Sequence, residues 1–450
     1  MIPEFTDGYF KVSSEHGFLP INEPLIKLPN KYLELQTLID NLSIYLTNID
    51  KDNIFEKINY LKNYEDMIIE ETDINLLAAL YRCYCFLASG YLLYPSYVSF
   101  VKTGEYGIGR DRLPIQLSQP LLYLANRLDV FPWLEYSYGY SSGNYVKKDR
   151  LKGLDVENLS MACHFSGTTD ETGFIMCHVD INQHTPRLVG ACDNLLETSS
   201  VSSLESVVCV LRDINASRRK MWEASRCSHY NDFRVYIMGI KGNSTIFPNG
   251  VIYEPETEPR YYRGQSGSQD TIIPFLDSLF RVCDHYPKNE LTNYLMDMRS
   301  YRPAPFRELV QWTDTNCIGL IERLLDKDVD GMICSLLYQV YRQIYEFRNG
   351  HWQFVQKYIM ANTAYPMATG GTPITTWLPN QIMSTLSAMR VVLNYCEKFH
   401  SNKTIDWLSY EEEFSNMLQL LEEQGQLLKV DNYNANEVFN LNCTYRQSDK

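Results

Sequence analysis

The chain has 450 residues, 45% of them hydrophobic, and carries 41 Lys and Arg against 55 Asp and Glu, a formal net charge of −14. That balance, without a run of five basic residues, repels phosphate backbones and argues against nucleic acid as a partner. No stretch approaches the roughly 18 to 20 uninterrupted apolar residues of a bilayer span, and MIPEFTDGYF lacks a basic region followed by an apolar one, so no membrane association is expected.

Apolar residues recur three and four apart over 31–48, 74–95, 199–225, 269–284, 303–325, 329–360, 380–400 and 409–429, which predicts a mainly α fold. Within YRCYCFLASGYLL, Cys83 and Cys85 read as small buried hydrophobes, and the 12 cysteines contain no CxxC pair, as suits a reducing cytoplasm. Glycine, serine, proline and charge collect over 102–118 and 136–160, so a small N-terminal domain (1–155) is expected before a large helical one (156–430). The run FIMCHVDI (174–181) is the best strand candidate by composition, with a helix competing. Residues 431–450 have no clear period and read as a loosely held tail.

The segment ICSLLYQVYRQIYEFRNGHWQFVQKYIM places Leu337, Val340, Ile344, Phe347, His351, Phe354 or Val355, and Tyr358 on one stripe. Gln339, Arg342, Glu346, Gln353 and Gln356 form the opposite, solvated face. His351 therefore stands on the inward side, directly after Gly350, which costs about 1 kcal/mol relative to alanine inside a helix. Two readings suit such a histidine. It is a core imidazole bonded to a carbonyl, with the glycine admitting another helix, or it ligates a haem iron through a ring nitrogen. No second cysteine or histidine follows at i+3 or i+4, which disfavours a tetrahedral zinc site.

Further stretches bear on that choice. HGFLPINEPLIKLPNKY (16–32), FRVYIMGIKGN (233–243), YRGQSGSQDTIIPFLD (262–277), MRSYRPAPFREL (298–309), FRNGHWQFVQKYI and ATGGTPITTW (368–377) occur in this order. Together they resemble the indoleamine 2,3-dioxygenase family, within the wider group that includes tryptophan 2,3-dioxygenase. The resemblance implies a small mixed N-terminal domain over a large helical domain that binds haem b, with O2 as co-substrate. It also implies the chemistry of tryptophan catabolism through kynurenine.

By matching position, His351 is the implied proximal iron ligand, and Arg348, three residues earlier, lies at the haem edge with Asp277. Arg234 matches the arginine that clamps the substrate carboxylate, for which a bidentate guanidinium is suited. Thr372 of ATGGT is implied to bond the substrate's amino-acid end. Gly264, Gln265, Ser266 and Gly267 are implied beside the haem plane, where small residues keep the cavity open. Phe174 matches an aromatic that packs on the indole.

The sequence departs from the family at three places. His178 stands where familiar mammalian members have serine and resembles the tryptophan 2,3-dioxygenase branch, where an imidazole accepts the indole N–H. His229 takes a place usually aromatic, and Gly350 replaces a larger residue. The implied activity is cleavage of the indole C2–C3 bond of tryptophan or a related indoleamine to N-formylkynurenine, by a monomer or weak homo-oligomer. A haem monooxygenase of a substituted indole, a non-catalytic haem sensor and a purely structural helical protein are the alternatives.

Overall fold

The longest apolar run folds as the longest helix, α1 (Ile74–Thr103), whose first amides are capped by the Asp73 carboxylate at 3.0 Å from Asn75 N. The structure is a computed structural model that describes residues 1–365, 367–399 and 405–427; the expected tail over 431–450 lies outside them. By length and composition α1 is long and apolar enough to cross a membrane, although polar residues such as Arg82 interrupt it. Its apolar window is entirely buried within the protein, as a core helix requires. Arg82, buried within α1, donates from Nη1 to the Gly143 carbonyl at 2.5 Å and from Nη2 to the Leu25 carbonyl at 2.6 Å.

Strands are few and short. Phe5–Thr6 pairs with Lys11–Val12, Tyr145–Lys147 with Leu159–Met161, and Val251–Tyr253 lies between Arg112–Leu113 and Pro259–Arg260. The second of these ribbons crosses the expected division at 155/156. The region 136–160 begins with a buried turn of π-helix (Tyr136–Tyr140) whose Tyr138 hydroxyl donates to Asp7 at 2.7 Å. Ser137, Gly139, Ser141, Ser142 and Gly143 are buried there, whereas Gly153 is exposed.

Six helices frame the candidate site or back it: α2 (Thr169–Asn182), α3 (Val201–Arg219), α4 (Ile272–Leu279), α5 (Met332–Phe354), α6 (Ile374–Cys396) and α7 (Trp407–Leu427). Helix α5 packs on both α3 and α6, and α2 packs on α3. The residues 174–181 expected as a strand lie wholly inside α2. Ile175, Met176, Cys177, Val179 and Ile181 are all buried, so the run has no polar alternation to mark its period. The cap outside it decides: Thr168 Oγ1 accepts from Glu171 N at 3.2 Å, with Asp170 and Glu171 in the first turn.

The expected segment 303–325 is two helices broken at Gly319, and 31–48 is likewise interrupted. The segment 329–360 holds as α5, whose start is fixed by the Asp328 carboxylate accepting from Gly331, Ile333 and Cys334 amides at 3.0, 3.2 and 3.0 Å. It runs directly into a wider turn of π-helix, Val355–Met360. The polar face of α5 is not simply solvated. Arg342 pairs with Glu413 of α7 at 2.8 Å, and Gln339 accepts from Arg212 of α3 at 2.7 Å.

Candidate functional site

A cavity of about 1100 Å³, counting its opening to solvent, lies among α2, α3, α5 and α6. Helix α2 contributes Phe174, His178 and Ile181, α5 contributes Phe347, His351 and Phe354, and α6 contributes Ile374, Trp377 and Leu378. The wide turn after α5 adds Val355, Tyr358 and Ile359. Two loops complete it, one with Gln265, Ser266, Gly267 and Asp270, the other with Ala368, Thr369 and Thr372. Mostly apolar walls with a few convergent polar groups are what a small-molecule site requires.

The two histidines converge. A Cβ placed on Gly267 would lie 3.5 Å from His178 Nε2 and 4.0 Å from His351 Cε1, so both imidazoles approach one spot that the glycine leaves open. His178 Nδ1 lies 3.1 Å from the Phe174 carbonyl, which can only accept. Nδ1 therefore carries the proton, and Nε2 faces the cavity as an acceptor. Burial lowers the His178 pKa against the opposing pull of Asp270. Burial, then the positive charges of His178 and Arg218, push His351 down to about 4. Both rings are neutral at pH 7, the state in which an imidazole ligates metal or accepts a hydrogen bond.

Asp270 fixes the rear of this wall, accepting from Tyr136 Oη at 2.9 Å, Asn182 Nδ2 at 2.7 Å and the Ile272 amide at 2.8 Å. Tyr136 meets the His178 ring edge-on at 5.7 Å and Phe174 meets it at 5.6 Å. A smaller adjoining cavity shares Gly267, Phe347 and His351 and is bounded by Arg348 and Asp277. There Arg348 and Asp277 form a buried ion pair, with Arg348 Nη1 donating to Thr385 Oγ1 at 2.6 Å and the Tyr286 hydroxyl donating to Asp277.

Of the residues singled out from sequence, Phe174, His178, Ser266, Gly267, His351 and Thr372 come together in the main cavity, and Arg348 and Asp277 meet beside it. The ATGGT turn holds Thr372 there through Ala368 N to Thr372 O at 2.8 Å, with Gly371 at φ 77° where a side chain would strike the Lys241 carbonyl.

Four residues are placed otherwise. Arg234 is fully buried, but its guanidinium donates to Tyr106 Oη at 3.0 Å and the Met367 carbonyl at 2.8 Å, outside the cavity lining. Its charge is met by internal acceptors, not by an anion. His229 is half-exposed and pairs with Asp232 at 3.0 Å. Gly264 packs its backbone on Gly239. Gly350 is outside the cavity lining, and a Cβ there would overlap the guanidinium of Arg218, which belongs to that lining.

The haem implied by the resemblance fits the residues present. A neutral, inward imidazole at 351, an apolar slot kept open at Gly267 and an arginine at the rim suit a flat, iron-bearing, carboxylate-edged group. The family model for indoleamine 2,3-dioxygenase matches residues 7–384. The chain belongs to the indoleamine 2,3-dioxygenase family.

All six motifs lie within the matched span. An indoleamine 2,3-dioxygenase of Saccharomyces cerevisiae is 25% identical over 378 residues, 78% of this chain and 79% of the relative. The qulI indoleamine 2,3-dioxygenase of Penicillium citrinum is 24% identical, covering 84% of this chain and 88% of its own. A Fusarium equiseti relative, 23% identical over 78% of this chain and 84% of its own, is named 6-hydroxytryptophan 2,3-dioxygenase. Membership of the indoleamine 2,3-dioxygenase family makes the chain a dioxygenase of indole substrates, while the names of the relatives differ in the indole they specify.

Sequence reasoning missed Arg218, Tyr230, Asp270 and Trp377 in this wall. For Arg218 the signal was present. Val207, Leu211, Ile214 and Arg218 are spaced four, three and four apart along α3, the same logic that exposes His351. A separate group of carboxylates, Asp155, Glu157 and Asp180, has metal-like spacing, but Lys220 Nζ is already 3.0 Å from Asp155 and 2.8 Å from Asp180. Lys220 thus already occupies two of the three carboxylates.

Proposed function

We propose that this chain is a haem b dependent dioxygenase that cleaves the C2–C3 bond of L-tryptophan with O2 to give N-formylkynurenine. The observation that carries the reading is the convergence of His178 and His351, from facing helices, on the gap left by Gly267. His351 would hold the iron, and Gly267 would leave room for the macrocycle. Haem bound there supplies the activation of dioxygen.

The chain's own contribution is placement. Phe174 offers a face for the indole ring, and His178 Nε2, bare because Nδ1 is tied to the Phe174 carbonyl, accepts the indole N–H. His178 orients the substrate and takes no proton. The Thr372 and Ser266 side chains stand in the same wall to bond the ammonium or carboxylate. Positioning of this kind brings reacting atoms to roughly 3 to 3.5 Å, where proximity lowers the barrier. Both oxygen atoms remain in the product, so no external reductant is consumed per turnover. All eleven described cysteines are free, which suits the cytoplasm as the compartment.

Turnover of L-tryptophan under ¹⁸O2 tests the reading by mass spectrometry. Two labelled atoms in N-formylkynurenine are expected. One labelled atom in a hydroxylated indole would replace the reading by a monooxygenase, and tight haem binding without any product would replace it by a sensor. A 6-hydroxylated tryptophan is the second substrate to assay, given the name of the Fusarium equiseti relative.

A further inference from the structure

Arg218 is an arginine 6% exposed in the wall of the main cavity. Its Nε donates to Asn215 Oδ1 at 3.3 Å, and its guanidinium lies 6.0 Å from the centre of the Phe354 ring. Buried Nη1 has no hydrogen-bond partner, and no carboxylate among the described residues forms an ion pair with this side chain. Among the described residues it is the only lysine or arginine in the main cavity's lining. Arg82 and Arg234 are buried too, but each has two oxygen acceptors across the fold, whereas among the described residues Arg218 has only the Asn215 amide, and an anion is the partner that best offsets a charge held away from water.

The neighbouring helix is built around it. Gly350 lies where any Cβ would overlap the guanidinium, so α5 gives up a side chain in its interior to seat an arginine from α3. Arg348 offers the contrast, since its own carboxylate partner is supplied by Asp277. Arg234, matched by position to the family's carboxylate arginine, is turned to Tyr106 and Met367.

We propose that Arg218, seated by Gly350, is the cavity's carboxylate-binding residue. The carboxylate belongs to the small molecule that the cavity holds, either the amino-acid end of the indole or a propionate of the tetrapyrrole. This rests on the cavity being the substrate and cofactor site.

Calorimetric titration of the full-length protein tests the assignment with two ligand pairs that differ in carboxylate. L-tryptophan is compared with tryptamine on haem-loaded protein, and haem with its dimethyl ester on haem-free protein. Arg218→Leu is expected to weaken one carboxylate-bearing ligand on the order of tenfold to a hundredfold. Its neutral counterpart should change by less than about twofold. Arg218→Lys should recover part of the loss and Gly350→Ala, which displaces the guanidinium, should mimic it. The affected pair names the source of the carboxylate. A folded Arg218→Leu protein that leaves both pairs unchanged, or weakens charged and neutral ligands alike, overturns the assignment and leaves the functional reading standing. Wild-type protein that takes none of the four ligands overturns both.

Discussion

Two buried arginines lie near His351, Arg348 on its own helix α5 and Arg218 on the neighbouring α3, and they differ in their partners. Arg348 is 2% exposed and meets Asp277, Thr385 and, through Asp277, Tyr286. Each has one buried nitrogen without a partner, Nε in Arg348 and Nη1 in Arg218, but Arg218, nearly as buried, has only the Asn215 amide and no carboxylate in contact among the described residues. The difference teaches where charge in this fold is architecture and where it awaits a ligand. Arg348 is supplied with a carboxylate in contact by the chain itself, whereas Arg218 is supplied with space by Gly350 and feels only the more distant Glu346 carboxylate, with which it forms no ion pair among the described residues.

Breaking the satisfied side should have the largest effect. Arg348→Ala leaves the Asp277 carboxylate buried without its cation and should lower stability by about 3–5 kcal/mol in urea unfolding. Replacing the pair together, with Arg348→Met and Asp277→Leu, should recover most of that loss. Equal losses for the single and double changes would mean that the ion pair is not what holds this edge.

Between the two arginines lies His351, and acid probes it. Its folded pKa of about 4 lies below the ordinary 6.5, so the unfolded chain binds protons first as pH falls. The stability it contributes is present above pH 6.5 and lost as pH drops towards 4, by at most about 3 kcal/mol. Burial lowers His178, His184 and His285 as well, in the same direction. Urea midpoints measured down this range should fall less steeply in His351→Gln than in the wild type.

On the unsatisfied side, Gly350→Ala should destabilise the wild type by about 1–3 kcal/mol through overpacking. In an Arg218→Ala background the sign should reverse, because alanine in a helix interior is favoured over glycine by roughly 1 kcal/mol. A double-mutant cycle with no coupling would separate Gly350 from Arg218. The smallest effect is expected from Arg218→Leu without ligand. Removing an unpaired buried charge should leave stability unchanged or raise it by about 1 kcal/mol, and a large loss in thermal unfolding would show that the guanidinium has a structural partner.

Much of this was legible in the sequence because helix periodicity reports what faces inward. The stripe through Leu337, Ile344 and His351 is the inner face of α5, and the motifs that resemble the family bring Phe174, His178, Ser266, Gly267 and Thr372 to one cavity. Periodicity reports burial but not partners. Arg234 is buried as its apolar context implies, but its acceptors, Tyr106 and the Met367 carbonyl, come from 128 and 133 residues away. Gly350 is explained by a guanidinium 132 positions earlier, a contact that only tertiary packing creates. The 174–181 run failed as a strand because a helix buried all round carries no period, and its capping threonine lies outside the run.

The most direct test is the visible spectrum of the reduced, haem-reconstituted protein beside His351→Ala. A histidine-ligated Soret band in the wild type that is lost in the variant, with both proteins folded by circular dichroism, is the predicted result. An unchanged band in His351→Ala would contradict the account, because the iron would then be held elsewhere and the convergence of His178 and His351 would not be the catalytic centre.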